Sequence, residues 1–359
     1  MSLFRPGFWV AQQADGMRFW RRALEDFPDF APVDGTWVRY LVTMQTGLGA
    51  LPKEWSLSRR RALIARACRR TGMSALMSRL GHLANPRGAI RVVNYHQTLP
   101  GNAETLERHL QWYERHFCPA GPGDLRDVMQ GRTWTRLRPG IVLTFDDGLR
   151  SNFEVAAPLL ERYGMRGWFF VTTGLTDCPD VQQRQHAAQH RLLGAILEQP
   201  SETGRIAMSW DELRQLRARG HQVGSHTHSH ARLGEDVDPG TVRSEVFDSK
   251  ARLESMLAAP VSSFCWVGGE LGSYSRHAAD CIREAGYEFA FQTTCALTTA
   301  RTNPHQIPRT NVEDRWPVEM AAFQTSGLLD LAYLRKRRSV QARTRPFSDA
   351  RTAACTPRA

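Results

Sequence analysis

From about residue 90 to residue 312, short continuous apolar runs alternate with longer amphipathic stretches. The apolar runs "IRVVNYH", "GIVLTF", "GWFFVTTG", "HQVGSH", "VSSFCWVGG", "YEFAFQTT" and "QIPRTNV" read as strands. Between them, "AETLERHLQWYERHF", "SNFEVAAPLLERYG", "SWDELRQLRARG", "GTVRSEVFDSKARLESML" and "SRHAADCIREAG" carry helical periodicity. Runs that are apolar at every position suit strands covered on both faces, as in parallel sheets. Ser209 and Glu212 form an S-x-x-E capping box, and Gly164, Gly220 and Gly286 each follow a helix where a left-handed cap is wanted. The alternation predicts an α/β fold with a parallel sheet or barrel, whose chemistry sits at the C-terminal ends of the strands.

Outside this core the pattern changes. Residues 1 to about 56 hold many aromatics, Trp9, Trp20 and Trp37 among them, and no assignable motif. Residues 57–80 read as a helix in which Leu63, Ile64, Ala67, Cys68, Met73, Leu76, Met77 and Leu80 share one side opposite a basic one. After residue 335 a basic run reads as a disordered tail. The expected organisation is an N-terminal extension over 1–89, a catalytic domain over 90–334 and a tail over 335–359.

Composition refines this picture. The net charge of +11 is peripheral: Trp55–Leu80 carries seven arginines and no acid, Arg335–Ala359 carries another +7, and the remainder is slightly acidic. A reading surface for nucleic acid would place basic residues on the folded body, so nucleic acid is not expected as a partner. The basic helix over 57–80 suggests either a solvated face or peripheral contact with an anionic membrane. No apolar stretch reaches the ~18 residues of a membrane span. The N-terminus lacks the pattern of a secretory signal, so the expected location is the cytoplasm, with the inner membrane face as a variant of it. The seven cysteines form no C-x-x-C pair, which argues against a cysteine zinc site or a disulfide framework.

The candidate chemistry lies at two strand ends. "IVLTFDDGLRSNF" puts Asp146 beside Asp147, although like charges at that distance raise each other's cost of ionising. "VGSHTHSHARL" supplies His226, His228 and His230 after another short strand. Two imidazoles and one carboxylate make a three-ligand catalytic metal set with positions open for water and substrate. A divalent cation on one aspartate would neutralise it, leaving the neighbour free to serve as a base.

"TFDDG" followed by "HTHSH" resembles the first two motifs of the polysaccharide deacetylases, the NodB-homology enzymes of carbohydrate esterase family 4. The resemblance extends over about 90–312 and includes "PLLERYGMRGWFFVTTG", "SWDELRQLRARGHQVGSHT" and "AGYEFAF". It implies a distorted (β/α) barrel and metal-dependent removal of acetyl from an N-acetylated sugar of a polysaccharide, oligosaccharide or glycolipid. By position it makes Asp146 the base and Asp147, His226 and His230 the ligands of a metal, usually zinc, with cobalt an alternative. His228 falls on a variable position. The general acid of many members is a histidine in a late strand, and this chain has none after "IPRTNVEDRW". A circularly permuted subset carries that strand first, and "VVNYHQ" then makes His96 the acid. The third motif, Arg-x-Pro-(Tyr/Phe)-Gly, aligns with Cys265-Trp266-Val267-Gly268-Gly269 and has lost its arginine. Gly268 N–H remains as an oxyanion donor, and Arg309 in "IPRTNV" is the candidate replacement for the missing cation. Two alternatives stay open: a carbohydrate-binding barrel without turnover, and a deformylase or esterase acting on a lipid-linked saccharide.

Overall fold

A computed structural model describes residues 53–192, 198 and 200–345; the expectations for residues 1–52 and for the end of the tail lie outside them. Ile64–Ala359 forms one compact unit. The predicted basic helix is two helices, α1 (Lys53–Arg70) and α2 (Met73–Leu83), broken where Gly72 takes a left-handed φ of 73°.

Parallel strands then form the barrel: β1 (Ile90–Tyr95), β3 (Gly140–Phe145), β4 (Gly167–Val171), β5 (Gln222–Ser225), β6 (Ser263–Cys265) and β7 (Phe289–Gln292). They pair in that order, with β9 (Ile307–Pro308) beside β7 and β10 (Thr310–Asn311) beside β1. Arg309 alone separates β9 from β10, so the two ends of the sheet meet at this residue and the barrel is nearly closed. The short β2 (Cys118–Pro119) and β8 (Leu297–Thr298) add pairing to β3 and β1.

Strand periodicity sorts the side chains. Ile90, Val92, Val142, Trp168, Phe170, Cys265, Phe289, Phe291 and Ile307 fill the barrel interior. Alternate residues such as Val93, Tyr95, Leu143, Phe145, Phe169 and Phe264 pack outward beneath the helices. The same parity carries Asp146, after Val142 and Thr144, into the barrel mouth. The helices follow expectation at α3 (Ala103–His116), α8 (Trp210–Ala218), α9 (Pro239–Leu257) and α10 (Arg276–Glu284). Ser209 and Glu212 make the reciprocal capping bonds at α8. "SNFEVAAPLLERYG" opens instead with a π-helical turn over Asn152–Ala156 before α5 (Ala157–Arg162).

The sequence pattern does not predict α4 (Pro122–Met129), α7 (Gln183–Gln189) or α11 (Val318–Thr325), and α6 (Thr173–Asp177) begins where "GWFFVTTG" was expected to remain a strand. The expected tail is also corrected, since Leu334–Arg343 is a helix, α12. It docks through buried Val340 and through Thr344 just after it, whose hydroxyl accepts hydrogen bonds from Gln292 and Gln306.

Beneath the outward face of β1 lies a buried polar cluster. His109 Nε2 donates to the Trp316 carbonyl at 2.7 Å, so Nδ1 is free to accept from the Tyr95 hydroxyl at 3.1 Å. Burial pushes the His109 imidazole down to about 4. The unfolded chain takes up this proton below its ordinary pKa, while the folded protein refuses it until about pH 4. Stability therefore falls as pH drops from ~6.5 to ~4, by about 3 kcal/mol from this group. Urea titrations at pH 7 and pH 4.5 should show His109→Gln less stable at neutral pH but with an acid-induced loss smaller by ~2–3 kcal/mol. An unchanged acid-induced loss would remove His109 from this account.

Candidate active site at the C-terminal rim of the barrel

The loop after β3 turns sharply because Asp147 and Gly148 both adopt left-handed φ, 74° and 76°. An aspartate tolerates this region at modest cost. Gly148 is required, since a Cβ there would lie 3.2 Å from Val171 Cγ1 and 3.3 Å from its Cα. The turn sends the neighbouring carboxylates to different partners. Asp146 meets Arg309, whose two terminal nitrogens donate to its oxygens at 2.6 and 2.8 Å. Asp147 faces His226 and His230, with Nε2 atoms 3.6 and 3.4 Å from its Oδ1.

The histidine loop after β5 is strained and braced. Thr227 and His230 hold φ of 67° and 62°, costly for side-chain-bearing residues and most of all for a β-branched threonine. Glu245 of α9 offsets this by accepting from the N–H groups of His228 and Ser229 at 2.9 and 2.8 Å, and from the Ser229 hydroxyl. Thr227 Oγ1 accepts from Ala231 N–H. His228 points away, exposed, with Nδ1 2.9 Å from the Thr173 hydroxyl.

Both candidate histidine ligands are oriented from behind. His226 Nδ1 donates to the Cys265 carbonyl and His230 Nδ1 to the His190 carbonyl, both at 3.0 Å. A carbonyl only accepts, so both Nε2 lone pairs are left facing the centre, the arrangement in which imidazoles hold metals. Asp147 Oδ1 is buried and has no hydrogen-bond partner. Donor atoms on a tetrahedral cation with ~2.0–2.1 Å bonds lie about 3.3 Å apart, close to the separations seen here. The three residues thus fit one divalent cation.

Electrostatics point the same way. Burial pushes Asp147 up, but the nearby His230, together with His96 and His226, outweighs it and holds the carboxyl well below the usual range. Asp146 is raised by burial and lowered more by Arg309, so it too stays ionised. Burial pushes His226 down to about 4, keeping it neutral and able to ligate. A second group, Asp146 with His226 and Cys265, also brings donor atoms within 4.8 Å of one another. It suits a cation less well. Both Asp146 oxygens are engaged by Arg309, and burial holds the Cys265 thiol protonated, with Sγ donating to Asp146 Oδ1 at 3.7 Å.

His96 stands at the end of β1, half-exposed, with Nε2 3.9 Å from Asp146 Oδ2. Its loop is tied to the aspartate loop: Thr98 N–H donates to Ser151, the Thr98 hydroxyl donates to Asn152, and Asn152 Nδ2 reaches the Asp146 carbonyl at 3.4 Å. Arg309 is 1% exposed and also donates to Thr144 Oγ1 at 3.1 Å. Gly268, at φ 80°, packs against Ser273, Glu270 and Arg232.

The contributions of Glu245, Cys265, Thr144, Asn152 and the His190 carbonyl were not anticipated. Glu245 carried a signal, as an acid on the helix face that also buries Val242, Val246 and Leu253. The His190 contact is made by backbone and leaves no trace in residue types.

Removing one partner of a buried ion pair leaves the other charge uncompensated, which costs ~3–5 kcal/mol. Arg309→Met should lower the unfolding free energy by about that amount. Adding Asp146→Asn should restore part of it, because the stranded charge is then gone. Additive losses in urea titrations would mean that the pair is not coupled.

The C-terminal mouth of the parallel barrel thus carries a carboxylate–bis-imidazole group that could hold a divalent cation, beside a second, arginine-held carboxylate. Residues 135–290 match the polysaccharide deacetylase family, and the matched segment contains Asp146, Asp147, His226, His228 and His230. YxkH of Bacillus subtilis (strain 168) is 20% identical over 227 residues, 62% of this chain and 70% of YxkH. The fold is shared with the deacetylase PplD of Streptococcus pyogenes, solved with acetate, at TM-score 0.52 and 18% identity over 66% of this chain and 98% of PplD. It is shared also with the BpsB deacetylase domain of Bordetella bronchiseptica, at TM-score 0.50 and 20% identity over 64% of this chain and 97% of that domain.

Proposed function

We propose that this protein is a metal-dependent hydrolase that removes N-acetyl groups from an N-acetylated sugar of a polysaccharide, oligosaccharide or glycolipid. The observation that carries this reading is the unpartnered, buried Asp147 Oδ1 between two inward-facing imidazole nitrogens, with an ionised Asp146 adjacent. A divalent cation held by Asp147, His226 and His230, zinc by the chemistry of the donors, would supply Lewis-acid polarisation and lower the pKa of a water.

The chain's own groups do the rest. Asp146, kept charged by Arg309, takes a proton from the water as its oxygen bonds to the acetamide carbon. Negative charge develops on the former carbonyl oxygen, toward which Gly268 N–H is the donor we assign. His96 gives a proton to the nitrogen as the C–N bond breaks, releasing acetate and the free amine. The proton gained by Asp146 then lies 3.9 Å from His96 Nε2, close enough to recharge the acid through a small movement. Arg309 offsets the loss of the third-motif arginine, since its guanidinium meets Asp146 in a bidentate pair from another strand.

The purified protein with added Zn2+ or Co2+ should release acetate from N-acetylglucosamine oligomers or a related glycolipid. Saccharide binding without acetate release across a broad panel would favour a binding barrel. Release of formate, or of acid from an ester, in place of acetate would move the reading to the lipid-linked alternatives.

A further inference from the structure

Helix α2 is packed inside out. The side chains it buries are Ser74 and Ser78, and Gly81, one turn on, lies so close to the domain that a Cβ would sit 3.1 Å from Leu297 Cδ1. Its large apolar residues face solvent: Met73, Leu76, Leu80 and Leu83 are 40%, 49%, 47% and 72% exposed. Their spacing of i, i+3, i+7 and i+10 makes one continuous stripe, and Ile64 in α1 is likewise 52% exposed. A helix on a soluble domain ordinarily turns such a stripe to the core, and a contiguous exposed apolar face marks an interaction surface.

The charge around the stripe selects the partner. No acid occurs from Trp55 to Asn102, and Arg66, Arg69, Arg70 and Arg79 are all exposed. Arg69 pairs with Glu319 at 3.0 Å, while Arg66, Arg69 and Arg70 line a surface hollow with Trp112 and Glu319. A second copy would bring like-charged arginines together, which opposes self-pairing. Apolar side chains bordered by arginines are what an anionic lipid headgroup layer receives, with the stripe entering the acyl boundary and the guanidinium groups meeting phosphates. No described helix is long and apolar enough to cross a bilayer, so the contact would be at the surface. We propose that the outward face of α2, with the last turns of α1, is a docking surface for an anionic membrane, and that it holds the enzyme at the bilayer plane.

Vesicle flotation of the full chain tests this. The protein should rise with phosphatidylcholine vesicles containing phosphatidylglycerol and stay down with phosphatidylcholine alone, and added salt should weaken the binding. The triple variant Leu76→Ser, Leu80→Ser, Leu83→Ser should reduce the bound fraction at least about tenfold, with far-UV circular dichroism and metal content unchanged. Leu83→Ser alone, at the most exposed position, should give a smaller loss. Arg66→Gln with Arg70→Gln and Arg79→Gln should abolish the preference for the anionic lipid. Equal flotation of wild type and triple variant would overturn the proposal, as would wild-type protein that ignores both vesicle types. A self-associated wild type that the triple variant converts to monomer would assign the face to a second copy instead.

Discussion

Asp146→Asn should lower kcat for acetate release by about a hundredfold to ten-thousandfold, the range ascribed to a positioned general base, while metal content stays at the wild-type level. The separation of the two effects follows from the turn at Asp147 and Gly148. Asp146 makes its bonds with Arg309, 2.6 and 2.8 Å away, and not with the histidines. Its side chain is 2% exposed, so an amide there keeps the shape of the site but leaves Arg309 facing a neutral group. Arg309 then carries an uncompensated buried charge, and the variant should also unfold at lower urea than wild type. Metal analysis beside steady-state acetate assays checks the pair of outcomes. Activity within about threefold of wild type would end the role of Asp146 as the base, and loss of metal would make it a ligand.

His230→Ala should act in the opposite order, removing the cation first and activity as a consequence. Two of the three donors would remain, and the strained loop at φ 62° would lose the imidazole that its geometry serves to place. A ligand that binds only the folded state stabilises it by about 2.7 kcal/mol at a hundred times its Kd. Wild-type protein should therefore melt several degrees higher with excess zinc than with a chelator. His230→Ala should show almost no such difference, and Asp147→Asn should behave similarly. His228→Ala should keep the full zinc-dependent rise, because His228 is exposed and turned toward Thr173. A rise retained by His230→Ala and lost by His228→Ala would reverse the ligand assignment.

Much of the barrel was legible because most strands are short, rich in apolar residues and separated from the next by a helix. Gly140–Phe145 forms over the stretch read as "GIVLTF". The aspartates and histidines were legible for a related reason: charged groups immediately after such strands have only the C-terminal rim to occupy. Arg309 was visible as a cation in a late strand, whereas its role in joining β9 to β10 depends on pairing between distant segments. Helix α12 escaped because its docking is mostly polar. Arg337 donates to the Cys295 carbonyl and Gln306 to the Gln341 carbonyl, so a basic run with little apolar periodicity is nonetheless ordered. The insertion holding α6 and α7 matters through a single backbone oxygen, that of His190, and no residue type encodes it. The third motif misled in one respect: Cys265 stands where an arginine was expected, yet its carbonyl orients His226 and its thiol meets Asp146.

One cation on Asp147, His226 and His230, with Asp146 and Cys265 outside its ligand sphere, is the arrangement proposed. X-ray absorption at the zinc edge of the zinc-loaded protein tests this most directly. The spectrum should show one zinc per chain with nitrogen and oxygen neighbours at ~2.0–2.2 Å, two of them imidazoles. A sulfur neighbour near ~2.3 Å would place the cation on Cys265 and contradict the assignment, and so would protein that retains no zinc.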